Sequence, residues 1–229
     1  MKADFISTVS HELRTPLTSI KGSLGLVANG ALGQLPERAH DMIILANKNT
    51  DRLMTLVNDI LDMEKLETGR MEFDLKPLDL SELVATTVES NQGYAMEHGV
   101  VFSVSAMPDG PTVRGDVDRL TQVIVNLISN AAKFSPAGEN IEIAVARDNG
   151  TARVSVSDHG PGIPSEYGDQ IFEPFSQVDT SDHREKTGSG LGLSISKSII
   201  EKHVGAIGFH SEVGVGSTFF FTLPVHSGS

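Results

Sequence analysis

His11 is followed directly by Glu12, and Thr15 comes one helical turn later, just ahead of Pro16. The apolar residues around them are Ile6, Val9, Leu13, Leu17, Ile20, Leu24 and Val27, at spacings of three and four. That is the period of a helix with one apolar seam. His11 is two positions from both Val9 and Leu13, so it projects about 200° away from the seam. An imidazole so placed is either an inert surface group or a base and nucleophile. The metal pattern HExxH does not fit, because Thr15 stands where its second histidine would be. Pro16 removes a helix hydrogen bond and frees the carbonyl of Glu12, which predicts a bend. A proline inside a strong helical pattern costs about 3 kcal/mol, and such a cost here points to use.

A second set of polar residues lies far along the chain. Gln122, Asn126 and Asn130 recur every four residues, with Lys133 one turn on and Phe134 after it. They run beside the apolar face formed by Leu120, Val123, Ile124, Leu127, Ile128 and Ala131. Uncharged amides aligned in this way form either a solvated face or a bridge between elements. Asp158 shares the strand parity of Val154 and Val156, so it points to the apolar side, where a carboxylate requires a partner. Gly160 and Gly162 follow it and permit close backbone approach to a ligand. The run Gly188, Ser189, Gly190, Leu191, Gly192, Leu193 enters a helix, and backbone N–H groups at such a start suit a phosphate. Neither the Walker pattern nor the dinucleotide fingerprint fits it.

Two regions must position these groups. Residues 1–68 show no strand alternation; a second helical run reads Met42, Leu45, Leu53, Leu56, Ile60 and Met63, and Asn29, Gly30, Gly33 and Pro36 break the chain between the runs. This predicts a helical hairpin. Two helices alone bury too little surface, so the expected completion is a four-helix bundle made by two chains. Residues 69–229 predict a mixed α/β domain. A helix opens at a capping box, Asp79 to Glu82, and runs to about residue 97; another spans 117–134 and a third 190–203. Strands are expected at 100–104, 141–145, 153–157, 207–210 and 218–223, with Asp148, Asn149 and Gly150 as a hairpin turn. The fold class is therefore a dimeric helical hairpin followed by an α/β sandwich, one mixed sheet with helices on one face.

Composition narrows the functions. The chain of 229 residues carries 30 acidic and 18 basic residues, a formal net charge of −12, and no cysteine. No basic cluster suited to a phosphate backbone is present, so nucleic acid is not an expected partner. Thiolate zinc sites and disulfides are excluded. No run approaches the roughly 18 apolar residues that span a bilayer, and the N-terminus lacks the apolar segment of a signal peptide. The helical period is already running by Phe5, so the start reads as a cut inside a longer protein, and the expected compartment of this portion is cytoplasmic.

The stretch from Phe5 through Ser10, His11, Glu12, Arg14, Thr15, Pro16 and Leu17 resembles the H box of sensor histidine kinases. Asn126 through Asn130, Lys133 and Phe134 resemble that family's N box. Asp158, Gly160, Gly162 and Ile163 are similar to its G1 box, Phe172 to Phe175 to its F box, and Gly188 to Leu193 to its G2 box. The segment Gly214, Gly216, Ser217, Thr218 resembles its terminal hairpin. The resemblance implies an ATP-binding domain of the histidine kinase, gyrase and chaperone type. It implies that His11 accepts phosphate, Glu12 takes the proton from the other ring nitrogen, and Thr15 orients water when the phosphorylated partner is hydrolysed. It gives Asn130 to magnesium, Lys133 to phosphate and Asp158 to the adenine amino group, with Asn126 holding the constellation. Phe134, Gly160, Gly162, Ile163, Ser189, Gly190, Leu191, Gly192, Leu193 and Thr218 would line the nucleotide. Arg184 or Lys186, in a lid over 178–187, would reach the γ-phosphate, and Gly188 would line the nucleotide with the rest of the glycine-rich turn. Thr187 stands where glycine is common and would stiffen the lid. The implied cofactors are ATP and Mg²⁺; the implied partners are a second copy of the chain, a response-regulator receiver domain and an upstream sensor module. The implied hinge lies near 67–69. Two alternatives remain at this point: another ATPase of the same nucleotide fold, or a catalytically silent docking scaffold.

Overall fold

A computed structural model describes residues 2–31, 33–105, 107, 110–168, 170–176 and 189–226, and for residues 2–8, 10 and 11 it describes the backbone only. The chain divides into two units, Met1–Met71 and Glu72–Ser229.

The first unit is a helical hairpin of α1 (Lys2–Ala28) and α2 (Glu37–Glu67). Helix α1 continues through Pro16 as one element. Gly30 and Gly33, with φ of 74° and 102°, supply the left-handed backbone of the connection, and Pro36 precedes α2. Arg14 Nη2 donates to Asn58 Oδ1 at 2.7 Å, and Lys21 pairs with Asp51 at 2.6 Å. These contacts fix an antiparallel register that puts residue 11 near the level of Leu61. The inner seam of α2 runs through Ile43, Asn47, Thr50, Met54, Val57, Leu61 and Glu64. The residues read from sequence as its apolar run lie mostly on another stripe: Met42, Leu45, Leu53 and Ile60 are exposed.

The second unit contains β1 (Lys76–Asp79), α3 (Leu80–Ser90), α4 (Gln92–His98), β2 (Val101–Ser105), β3 (Thr112–Gly115), α5 (Val117–Phe134), β4 (Asn140–Asp148), β5 (Thr151–Asp158), α6 (Gly192–Lys202), β6 (Ala206–Glu212) and β7 (Gly216–Pro224). Five strands form a sheet in the order β2-β4-β5-β7-β6, with β2 parallel to β4 and the other pairs antiparallel. Alternation along β4, β5 and β7 buries Ile141, Ile143, Val145, Val154, Val156, Phe221 and Leu223, while Arg153 and Ser155 stay half-exposed on the other face. Leu120, Val123, Ile124, Leu127 and Ile128 of α5, each at most 1% exposed, complete the core. At the β4–β5 turn Asn149 and Gly150 both have positive φ, 44° and 83°, as a two-residue hairpin requires.

Two expectations change. The helix predicted to about residue 97 is interrupted at Asn91, whose Nδ2 donates to the Thr87 carbonyl at 2.8 Å and competes with the helix ladder. Strands β1 and β3 were not expected. They are four residues each; β1 contains Pro77 and does not alternate, and β3 alternates over too short a run to stand out, yet they pair from Lys76 with Gly115 to Asp79 with Thr112.

Candidate active site

Helix α5 carries the amide stripe, and its start is held firmly. The Asp116 carboxylate accepts from Arg119 N at 3.1 Å and from Asp74 N at 2.9 Å. Burial works against ionisation of Asp116, but the N–H groups of Asp74, Arg119 and Asp118 outweigh it and hold the carboxyl below its usual range. The Asp116 N–H in turn donates to Nε2 of buried His203, at the end of α6, at 2.9 Å. One residue therefore ties the start of the N-box helix to the helix that leaves the glycine-rich turn.

At the other end of these helices the polar residues converge. Asn126 Nδ2 donates to Ser196 Oγ of α6 at 3.0 Å, and Asn130 Nδ2 approaches Asn126 Oδ1 at 3.4 Å. A side chain at Gly192 would lie 2.3 Å from Asn126 Oδ1, so any larger residue there would displace the Asn126 amide. Among the described residues no side chain caps α6, which leaves first-turn N–H groups for an anion. Ser189 Oγ accepts from Leu191 N at 3.2 Å, and Leu191 is fully buried. Gly190 donates no side chain either: with φ of 72° it packs against the backbone of Phe175, whose N–H bonds the Gly190 carbonyl at 2.9 Å. Phe175 is itself left-handed, with φ of 63°. Ser176 and Ser189, the described residues on either side of 177–188, thus adjoin this stapled pair. Arg184, Lys186 and Gly188 lie outside the described residues, as does Thr187.

Asp158 ends β5. Its Oδ1 accepts from Gly160 N at 2.8 Å, and Ser217, its partner on β7, also offers an N–H. Burial pushes the carboxyl above the usual carboxylate value, although Gly160, Ser217 and His159 pull it back. A Cβ on Gly160 would come within 3.0 Å of the Phe134 carbonyl, so the Asp158 turn is fitted to the end of α5. The Lys133 ammonium stands 4.8 Å from the Phe134 ring centroid. The same turn is strapped to the β6–β7 hairpin: Gly214 N donates to Pro161 O at 2.8 Å and Ile163 N to Ser211 Oγ at 2.7 Å. Thr218 Oγ1 is 2.9 Å from Ser157 Oγ. Phe172 meets Phe209, which stacks on Phe219, so the F-box segment rests on the sheet.

The structure therefore brings Asn126, Asn130 and Gly192 together, and Asp158 and Gly160 with Phe134. Sequence reasoning missed Ser196, and it placed Ser211 and Ser217 only within the terminal hairpin motif, without the bonds by which they hold Ile163 and Asp158. On the hairpin, residue 11 lies within α1, and Glu12 and Thr15 are exposed.

A half-buried carboxylate, an amide cluster and a helix start without a described side-chain cap, within one α/β sandwich, define a nucleotide-binding domain, joined in this chain to a helical hairpin. Family models agree on both parts. The His Kinase A (phospho-acceptor) domain matches residues 1–69, and the histidine kinase-, DNA gyrase B-, and HSP90-like ATPase matches residues 115–227. The catalytic domain of the histidine kinase ThkA is 31% identical, with a TM-score of 0.58, over 68% of this chain and 97% of that one. Full-length ShkA in complex with AMPPNP is 31% identical, with a TM-score of 0.80, over 99% of this chain and 46% of that one. The circadian input-output histidine kinase CikA of Synechococcus elongatus is 37% identical over 225 residues, 97% of this chain and 30% of its own length. The chain belongs to the histidine kinases. It spans about a third of CikA, and among its described residues no helix is long and apolar enough to cross a membrane.

Proposed function

We propose that this chain binds MgATP in the site on α5, β5 and α6 and phosphorylates His11. A ring nitrogen of His11 attacks the γ-phosphorus, the bond to the bridging oxygen breaks, and its electron pair leaves with ADP. Glu12 takes the proton from the other ring nitrogen. Asp158 accepts from the adenine amino group, and the uncapped start of α6, with Lys133, faces the phosphates. The observation that carries this reading is the pairing of an Asp158–Gly160 turn with the Asn126–Asn130–Gly192 cluster in one domain, on a chain whose other unit carries residue 11 within α1 beside the exposed Glu12.

The residues fit magnesium. Among the described residues no group of three His, Asp or Glu could hold an ion alone. Mg²⁺ suits such a site, since it takes one or two protein oxygens and completes its shell with phosphate and water. Asn130, its Nδ2 turned to Asn126, has its carbonyl oxygen left to give. When bound, the ion neutralises charge on the β- and γ-phosphates.

The phosphoryl group then passes to an aspartate of a receiver domain, and Thr15 supports the reverse hydrolysis by orienting water. Exposed stripes on both helices, with Leu13, Ile20, Leu45 and Leu53, support a homodimeric four-helix bundle. A hinge near 67–69 would let the ATP domain reach His11, and an upstream sensor module would set its activity. Incubation with γ-labelled ATP tests the reading: the label should be acid-labile, base-stable and absent from His11→Ala. ATP hydrolysis without labelled protein would point instead to an ATPase of the same fold, and no nucleotide binding to a scaffold.

A further inference from the structure

The amide cluster ends on a residue outside every recognised motif. Ser196 is 2% exposed, one helical turn beyond Gly192 on the same face of α6. Its Oγ accepts from Asn126 Nδ2 at 3.0 Å, and Asn126 Oδ1 faces Asn130 Nδ2 at 3.4 Å. The Asn126 amide is boxed by α6, with Gly192 against one side and Ser196 against the other.

Resting on the reading of Asn130 as the magnesium ligand, we propose that Ser196 is the positioning residue for that ligand, the acceptor that ends a chain of two amides. An amide that gives its carbonyl oxygen to a cation becomes a stronger N–H donor. The donors here all run away from the metal side: Asn130 Nδ2 to Asn126 Oδ1, then Asn126 Nδ2 to Ser196 Oγ. A hydroxyl lone pair at the end lets the whole chain hold this sense. Without it, Asn126 Nδ2 is left unpaired beside α6, or the Asn126 amide turns and presents an NH₂ to the NH₂ of Asn130. Either change removes the support that keeps the Asn130 carbonyl facing the phosphates. A buried serine at this place is otherwise unremarkable for packing, since alanine would fill the same space.

The test is nucleotide affinity rather than activity. ADP binding is measured by calorimetry on the full chain, with excess Mg²⁺ and with EDTA, for the native chain, Ser196→Ala, Ser196→Thr, Ser196→Val and Asn130→Ala. The ratio of the two affinities is the contribution of magnesium. Ser196→Ala should reduce that ratio about five- to tenfold, the order of one hydrogen bond, and leave the EDTA affinity within about twofold. Thr and Val have nearly the same shape, so Ser196→Thr should keep the native ratio while Ser196→Val loses it; this pair separates the acceptor from any packing fault. Equal losses with and without magnesium, or equal ratios in Thr and Val, would overturn the proposal. If Asn130→Ala lowers the ratio but Ser196→Ala does not, the role of Ser196 fails alone. If Asn130→Ala leaves the ratio unchanged, the metal-ligand reading fails, and this inference with it.

Discussion

The hairpin and the sandwich use apolar residues in opposite ways. In the sandwich, Leu80, Val84, Leu120, Ile124, Ile143, Ile199 and Phe221 are all completely buried. In the hairpin, Val57 and Leu61 of the inner seam reach only 9% and 6%, and an ordered stripe of Leu13, Ile20, Met42, Leu45 and Leu53 is open to solvent. The inner seam even contains the polar residues Asn47, Thr50 and Glu64. The sandwich is a finished fold. The hairpin leaves a helical apolar stripe uncovered, as the proposed four-helix bundle requires.

Charges on the open stripe should break this contrast most severely. Leu45→Glu with Leu53→Glu would bury carboxylates in the dimer seam, and the dissociation constant should rise by about three orders of magnitude. Sedimentation would show monomers, while ADP affinity should stay native. A dimer that survives both charges would place the interface elsewhere. The converse substitution, Ile124→Ala in the sandwich core, should cost about 2–5 kcal/mol of that domain's stability and leave association intact. Coincident loss of both properties in either variant would mean that the two units do not fold independently.

A functional group separates the two regions next. Burial makes ionisation of Asp158 costly and raises its pKa above the usual carboxylate value. The folded state therefore holds the proton more tightly than the unfolded chain does. The charge costs stability at every pH above the folded pKa, and the cost is relieved as pH falls through it. Asp158→Asn should leave the ligand-free domain at least as stable at neutral pH, while ADP affinity drops about 100-fold through loss of a charged acceptor. In the native chain the affinity should decline as the pH is lowered through that pKa, and the Asn variant should lack the decline. Unfolding of Asp158→Asn at neutral pH would assign Asp158 to the fold instead.

The same contrast decides what could be read from the residues alone. Helix α5 was legible at both ends, because its apolar face is uninterrupted and its amides fall on a separate stripe. The β4–β5 turn was legible because Asn149 and Gly150 are the residue types that tolerate positive φ. The inner seam of α2 was not: Asn47, Thr50 and Glu64 occupy it, so the apolar pattern points to the outer stripe. Strands β1 and β3 gave no signal, since their pairing depends on a partner over thirty residues away. Motifs located Asn126, Asn130 and Asp158. Ser196 stayed invisible, because a serine on a helix has no period of its own and gains its meaning only from what lies across from it.

The smallest expected effect concerns an exposed apolar residue that belongs to no stripe. Val204 is 81% exposed and follows α6 in the left-handed region, with φ of 59°. Its N–H bonds the Glu201 carbonyl, and Gly205 N bonds the Ile200 carbonyl at 3.0 Å, the pair of bonds that closes a helix through a left-handed residue. A β-branched side chain is disfavoured there, and glycine suffers no such strain but loses more freedom on folding. Val204→Gly should therefore stabilise the sandwich by a net of about 0.5–1 kcal/mol and raise its melting temperature by about 1–3 °C. Nucleotide affinity and association should not change. Lone exposed apolar residues carry no general implication, whereas patterned ones do. A fall in melting temperature for Val204→Gly would show that the isolated valine, like the hairpin stripe, has a surface to cover.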